Sequence, residues 1–180
     1  ENSYRDLYMK DYKGLEEELF QEIKSRIKED DSSVPYLDNG YYYYTRFEKN
    51  KQYPIYCRKK GNLEAKEEIL IDVNIMSQGH EYFRIGDFEI SPNNKIMAYS
   101  VDTVSRRLYT IYFMDLNSRK IIGEGISNTS GSITWANDNV TIFYNLKDIK
   151  TLRTERVMST KYNTKDSEKE VYFEADDTFS

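Results

Sequence analysis

The 180-residue sequence is short of the residues that most enzyme chemistry needs: one cysteine (Cys57), one histidine (His80), one tryptophan, three prolines and eight glycines. A single thiol excludes an internal disulfide and any cysteine-cluster metal site. It lies in the alternating run YPIYCRK, which reads as a half-buried strand. A single histidine leaves one candidate base for a Ser-His-Asp arrangement, and SQGHEYF puts it after Gly79 in a loop before a strand. There is no G-x-S-x-G elbow, because GISNT has Thr129 where the second glycine belongs. The phosphate-cradling patterns G-x-x-x-x-G-K and G-x-G-x-x-G are missing as well. Among 31 acidic residues no pair stands out as a glycosidase couple. Asp102, Asp138 and the Asp176-Asp177 pair read as turn formers. No cofactor is implied. No apolar run approaches the ~20 residues of a membrane helix, so no membrane partner is expected. No signal peptide is visible, although the chain opens on Glu1; a reducing, cytoplasmic setting is the expectation, with export left open.

The net charge of −5 argues against nucleic acid as a partner, since phosphate binding needs clustered Lys and Arg. The small basic groups Arg58-Lys59-Lys60 and Arg106-Arg107 read as solvated turn residues. What the sequence has in quantity is aromatic: 17 Tyr and 8 Phe, rings that pack well on a pleated surface. Residues 1–34 are different in kind. Leu15, Leu19, Ile23 and Ile27 recur every four residues with Phe20 beside them, the pattern of an amphipathic helix of about four turns. Glu22 and Arg26 are spaced for an ion pair, and Asp30-Asp31-Ser32-Ser33 with Pro35 ends the helix. Such a stripe must be buried against something.

From Tyr41 onward the pattern is β. GYYYYTRFEKNKQYPIYCRKK reads as a hairpin around Glu48–Lys51, and further strands are expected at 67–73, 87–90, 95–101, 107–114, from Ile121, and at 132–135, 140–145, 153–159 and 169–174. Tyr109, Ile111 and Phe113 alternate with Leu108, Tyr112 and Met114, so that strand should be covered on both faces. FEISPNNKIMAYS (88–100) and ITWANDNVTIFYN (133–145) align without a gap on a 45-residue shift, which brings Ile90 onto Trp135 and Tyr99 onto Tyr144. A period of about 40–50 residues with four strands per unit is that of a β-propeller blade. Residues 35–180 hold two to three blades, whereas rings need about four to eight. The fold class expected is therefore mainly β, a partial propeller preceded by an amphipathic helix, with open blade edges that invite self-association.

ENSY, LEEELFQEIKSRI, VPYLDNGYYYYTRFEKNKQYPIYCRKK, ITWANDNVTIFYN and EVYFEADDTFS together resemble the N-terminal part of the oligopeptidase B (protease II) group, in the prolyl oligopeptidase family of serine peptidases. The resemblance implies a seven-bladed propeller capping an α/β-hydrolase domain, with this chain supplying the helical leader and the first two to three blades. It implies a parent that cleaves short peptides after Arg or Lys, with a propeller that keeps folded proteins out. The Ser, Asp and His of that family have no counterpart here, so this chain alone is expected to be inactive. Its implied partners are short basic peptides and the C-terminal catalytic domain of the same parent chain. Family interdomain positions fall on Glu81 (GHEYF) and on Arg107 beside Arg106 (SRRLY). The competing readings are a non-enzymatic propeller-like interaction module and a small β protein that closes its ring by dimerising.

Overall fold

The computed structural model describes residues 1–176 and 178; Asp177, named above as a turn former, lies outside them. The leader is helical. α1 (Asn2–Tyr8) passes through a short 3-10 turn (Lys10–Tyr12) into α2 (Lys13–Ser25). Glu22 pairs with Arg26 as the spacing required. Neither helix buries a residue: Leu19 is 47% exposed, and Ile27, which the stripe placed in the helix but which lies two residues past the end of α2, is 63% exposed. The apolar stripe therefore finds no cover among the described residues.

The strands form two hydrogen-bonded sets. β1 (Tyr36–Asp38), β2 (Tyr41–Arg46), β3 (Ile55–Lys60) and β4 (Glu67–Asp72) make an antiparallel sheet in sequence order. After the one-turn helix α3 (Val73–Met76) come β5 (Arg84–Ile90), β6 (Ile96–Asp102), β7 (Tyr109–Asp115), β8 (Ile121–Trp135), β9 (Thr141–Lys147), β10 (Thr154–Lys161) and β11 (Lys169–Phe173), again in order. The seven-stranded set is two four-stranded blades that share β8. Its first half pairs with β7 (Phe113 opposite Ile122), its second half with β9 (Trp135 opposite Ile142), and Thr129 opposes residues of both.

Separate strands from Ile121 and at 132–135 were expected; one 15-residue strand is found. The reason is glycine. Gly123, Gly125 and Gly131 sit at φ +73°, +91° and +98°, so β8 can bulge and change partners without ending.

The repeat extends to three copies. Ile90 opposes Met97 as Trp135 opposes Ile142, and Phe88 opposes Tyr99 as Ile133 opposes Tyr144. In the first blade Tyr36 opposes Tyr43 in the same way. The sequence hid this copy because the tight Asn39-Gly40 turn replaces the five-residue turn of the others.

Two apolar clusters fill the seams. Tyr43, Leu70, Met97 and Tyr99 lie between the first and second blades; Ile111, Phe113, Ile133, Ile142 and Tyr144 lie between the second and third. Burying a side chain such as Ile111, fully enclosed, stabilises by about 2 kcal/mol. β7 is covered on both faces as expected, with Tyr109, Ile111 and Phe113 buried and Thr110, Tyr112 and Met114 half-buried. Polar ties cross the seams too: Asn39 Nδ2 donates to the Pro92 carbonyl (2.6 Å) and Trp135 Nε1 to the Glu89 carbonyl (3.1 Å).

Arg58 corrects the reading of its basic run as solvated. It is 2% exposed, its Nε donates to Glu68 (2.7 Å), and Tyr41 covers its guanidinium at 4.0 Å. β3 carries it into the seam opposite Tyr43, where a long cation with an adjacent carboxylate and ring can be buried.

Candidate functional site

Strand direction gives the arc two ends. One carries the turns at 39–40, 61–66, 91–95, 116–120, 136–140 and 162–168. The other carries those at 47–54, 73–83, 103–108 and 148–153, together with the entry of the leader into β1. The sequence-predicted residues all fall at this second end. Glu81 is exposed in the connection that leads into β5, and Arg106 and Arg107 are exposed in the turn between β6 and β7. Arg84 opposes Asp102 across β5 and β6, so both segments flank the same corner of the second blade. No ion pair joins Glu81 to either arginine among the described residues. His80, one residue before Glu81, is exposed with its ring 5.5 Å from that of Phe83.

The turn that carries Arg107 is held from beneath. Asp102, 1% exposed, accepts the Val104 N–H (2.9 Å) on one oxygen and the Arg107 N–H (2.8 Å) on the other. Lys147 Nζ, from the third blade, donates to the Arg107 carbonyl (3.1 Å). Arg107 itself stands at φ +55°. Asp102 was read as a turn former and is one; its burial was not legible, because a turn acid at a strand end is ordinarily solvated.

The inner strands bring together acids that the sequence scattered. Burial, aided by the charges of Asp87 and Asp38, pushes the Glu89 carboxyl up. Asp87 also accepts the Ile133 N–H (3.1 Å), tying the second blade to the third. On the free face of the first blade, Tyr44 donates to Glu67 (2.5 Å) and Arg46 Nη2 lies 3.0 Å from the same carboxylate. Burial pushes the Glu67 carboxyl up, but the hydrogen bonds from Arg46 and Tyr44 outweigh it and hold it below its ordinary value. Burial raises the nearby Cys57 thiol to about 11, which removes it as a nucleophile near neutral pH. Turn acids behave as turn formers: hydrogen bonds from Thr141 and Val140 lower Asp138 to about 2.

Three four-stranded units that follow one another, the second and third sharing β8, and that seal their seams with aromatic and aliphatic side chains define an arc of a β-propeller. Known proteins agree. The family described as the prolyl oligopeptidase N-terminal β-propeller domain matches residues 1–180, and the chain belongs to that family. It is 37% identical to dipeptidyl aminopeptidase BI of Pseudoxanthomonas mexicana across 99% of this chain and 27% of the relative. With protease 2 of Moraxella lacunata it shares 27% identity over 100% of this chain and 27% of that protein. Among solved structures, oligopeptidase B from Leishmania major is similar with a TM-score of 0.87 and 32% identity, covering 97% of this chain and 25% of that one. Oligopeptidase B from Trypanosoma brucei, in a closed form with covalently bound antipain, gives 0.84 and 28%, covering 98% and 25%. The chain thus spans about a quarter of the length of these relatives.

Proposed function

We propose that the chain is the gating part of a serine oligopeptidase that cleaves short peptides after Arg or Lys. The observation that carries this reading is the 32% identity with oligopeptidase B, sustained over 97% of the chain at a TM-score of 0.87. A ring too narrow for a folded protein excludes large substrates sterically, so specificity for length comes from the propeller and the chemistry from elsewhere. That chemistry is acyl transfer by a serine with a histidine base and an oxyanion hole. No such set forms among the described residues, where the one histidine is exposed beside Phe83. On this reading the chain alone is inactive, and its partner is the catalytic domain of the same parent. The compartment is cytoplasmic. No helix of the described residues is long and apolar enough to cross a membrane.

Glu81 attracts a basic substrate or pairs across the hinge, and Arg107, with Arg106 beside it, bridges to the peptidase domain in the closed state. All three lie at one corner of the arc and are free of ion pairs within the described chain, which supports an external role. Charge reversal at Glu81 is expected to raise KM for an Arg substrate in the parent; an unchanged KM removes its role.

The decisive experiment compares hydrolysis of a short fluorogenic Arg peptide by this chain and by its full-length parent. Cleavage by the parent alone, with a Pro analogue ignored, supports the gate. If neither cleaves, the chain is better read as an interaction module. The 37% identity with a protein named as a dipeptidyl aminopeptidase favours a second reading, release of dipeptides from a free amino terminus. Blocking the substrate's amino group separates the two, because an endo-acting oligopeptidase tolerates the block and a dipeptidyl aminopeptidase does not.

A further inference from the structure

We propose that buried Asp102, together with Lys147, is a positioning pair that presents the Arg107 guanidinium outward to a carboxylate of the peptidase domain. This rests on the reading of Arg107 given above and adds the residues through which it works.

DTVSRR (102–107) and DIKTLR (148–153) place an Asp and an Arg five residues apart at equivalent turns of the second and third blades. In the third blade the arginine is used inside the chain: Arg153 donates from Nη1 to the Asp176 carbonyl (2.5 Å) and from Nη2 to the Glu174 carbonyl (2.6 Å). A third arginine, Arg119 at φ +59°, spans the first seam and donates from Nη2 to the Ile69 (2.6 Å) and Leu70 (3.0 Å) carbonyls. Both arginines are thus used on backbone carbonyls inside the chain, Arg153 within the third blade and Arg119 across the first seam, at the other end of the arc. Arg107 stands one position earlier in its turn than Arg153, where the third blade has Leu152 at φ +62°, and among the described residues its guanidinium makes no hydrogen bond or ion pair.

The Arg153 backbone is held within its own turn, by the Thr151 hydroxyl on its N–H (3.3 Å) and the Asp148 N–H on its carbonyl (3.0 Å), whereas the Arg107 carbonyl is held from the next blade. Asp148 is partly exposed and bonds only within its own turn, to the N–H groups of Lys150 and Thr151 and the Thr151 hydroxyl. Asp102 is enclosed, spends one oxygen on each end of its turn, and forms no ion pair among the described residues. Burying a carboxylate on backbone donors alone is costly unless both oxygens are satisfied, as they are here. Left-handed backbone at a non-glycine residue persists only where its surroundings over-determine it. Here Asp102 holds the Arg107 N–H and Lys147 the Arg107 carbonyl, so both peptide groups are pinned while the side chain is left free. That is the arrangement of a preset contact, with the ordering entropy already met before the partner arrives.

The test is a double-mutant cycle in the full-length parent, read as kcat/KM on an Arg-containing oligopeptide. Arg107→Ala is expected to lower it about tenfold and Asp102→Asn about fivefold, while Asp102→Asn in the Arg107→Ala background changes it less than about twofold. Salt should weaken the parent more than Arg107→Ala, since the contact is between exposed charges. If Asp102→Asn costs the same factor in both backgrounds, Asp102 serves only the fold of the turn and the proposal is overturned. If Arg107→Ala has no effect, the reading of Arg107 falls and takes the proposal with it. If Arg107→Ala lowers activity while Asp102→Asn and Lys147→Met do not, the proposal alone falls. Lys147→Met tests the same coupling from the half-exposed third blade should Asp102→Asn fail to fold.

Discussion

The first and third blades put the same tyrosine in the same place and surround it with opposite chemistry. Across the first blade the row reads Tyr36, Tyr43, Arg58, Glu68; across the third it reads Ile133, Tyr144, Met158, Glu170. Tyr43 and Tyr144 are 5% and 2% exposed, so both bury a ring. What differs is the hydroxyl. Burial pushes that of Tyr43 up, and the neighbouring Arg58 guanidinium partly offsets this; Tyr144 instead donates to Glu168 at 2.6 Å. The second blade offers a third solution, Tyr99 against the Tyr112 ring at 5.7 Å. A flat, buried ring at this position is what the blade geometry requires. The polar end is settled separately by each seam.

The largest expected effect comes from breaking what the blades share. Gly86 and Gly131 occupy equivalent positions on the inner strands of the second and third blades, on the same 45-residue shift. A Cβ at Gly86 would stand 2.6 Å from Ser100 Oγ and 2.7 Å from the Tyr109 ring. At Gly131 it would stand 2.9 Å from the same ring, on a backbone at φ +98°. Ser100 cannot yield freely, since its hydroxyl donates to the Gly131 carbonyl at 2.7 Å. Gly86→Ala and Gly131→Ala should each destabilise by about 3 kcal/mol in denaturant unfolding. Gly14→Ala in α2, where a Cβ meets nothing, is the control and should leave arc stability unchanged. A loss below about 1 kcal/mol at Gly131 would show that the seam repacks more easily than its geometry indicates.

Next comes the residue that sets the two rows apart. Arg58→Met gives the first blade the side chain that the third blade carries at that register. Glu68 is about a third exposed on its side chain and can turn to water, so the cost should be below about 1 kcal/mol. Arg58→Ala removes the same charge but also empties the space beneath Tyr41 and should cost about 3 kcal/mol. Equal losses for the two variants would mean that the charge, rather than its stem, stabilises the seam.

How far the fold could be read from the residues follows from the same contrast. Strand alternation exposed much of the arc, because in strands such as β7 one face is buried in a seam and the other only half-buried, and that period-two burial leaves a plain trace. Tyr99 and Tyr144 declared the repeat; Tyr43 did not, since the two-residue turn and the long 73–83 connection together displaced it from the common period. Arg58 misled because its neighbours Lys59 and Lys60 belong to the end of the strand, and composition cannot tell a snorkelling cation from a buried one. The leader's stripe was legible as a helix, but a stripe names no partner, and none of its apolar residues is covered here. At the candidate site, Arg106 and Arg107 were found through resemblance. Asp102 was legible only as a turn former, since a strand-end acid does not declare its burial, and Lys147 gave no signal because it comes from the next blade.

The smallest and most discriminating effect concerns the tyrosine hydroxyls. Tyr144→Phe deletes the donor to Glu168, an exposed residue that water can solvate instead, and should cost about 1 kcal/mol at neutral pH. Tyr99→Phe deletes a hydroxyl with no hydrogen bond to the described protein and should cost close to nothing under the same conditions. The two converge at high pH. Burial raises Tyr99 from its ordinary value of 10.0 to about 12, and burial with the Glu168 hydrogen bond raises Tyr144 further. In each case the folded state favours the protonated phenol. The associated stability is fully present below pH 10 and disappears as the unfolded chain ionises, through about pH 12 for Tyr99. Unfolding measured from pH 8 to 12 should therefore fall less steeply in both variants than in the parent sequence, although only Tyr144→Phe begins lower. A Tyr99→Phe chain that loses stability with pH as steeply as the parent sequence would show that its phenol is as open to ionisation folded as unfolded, and that the second blade closes less tightly on its tyrosine than the third.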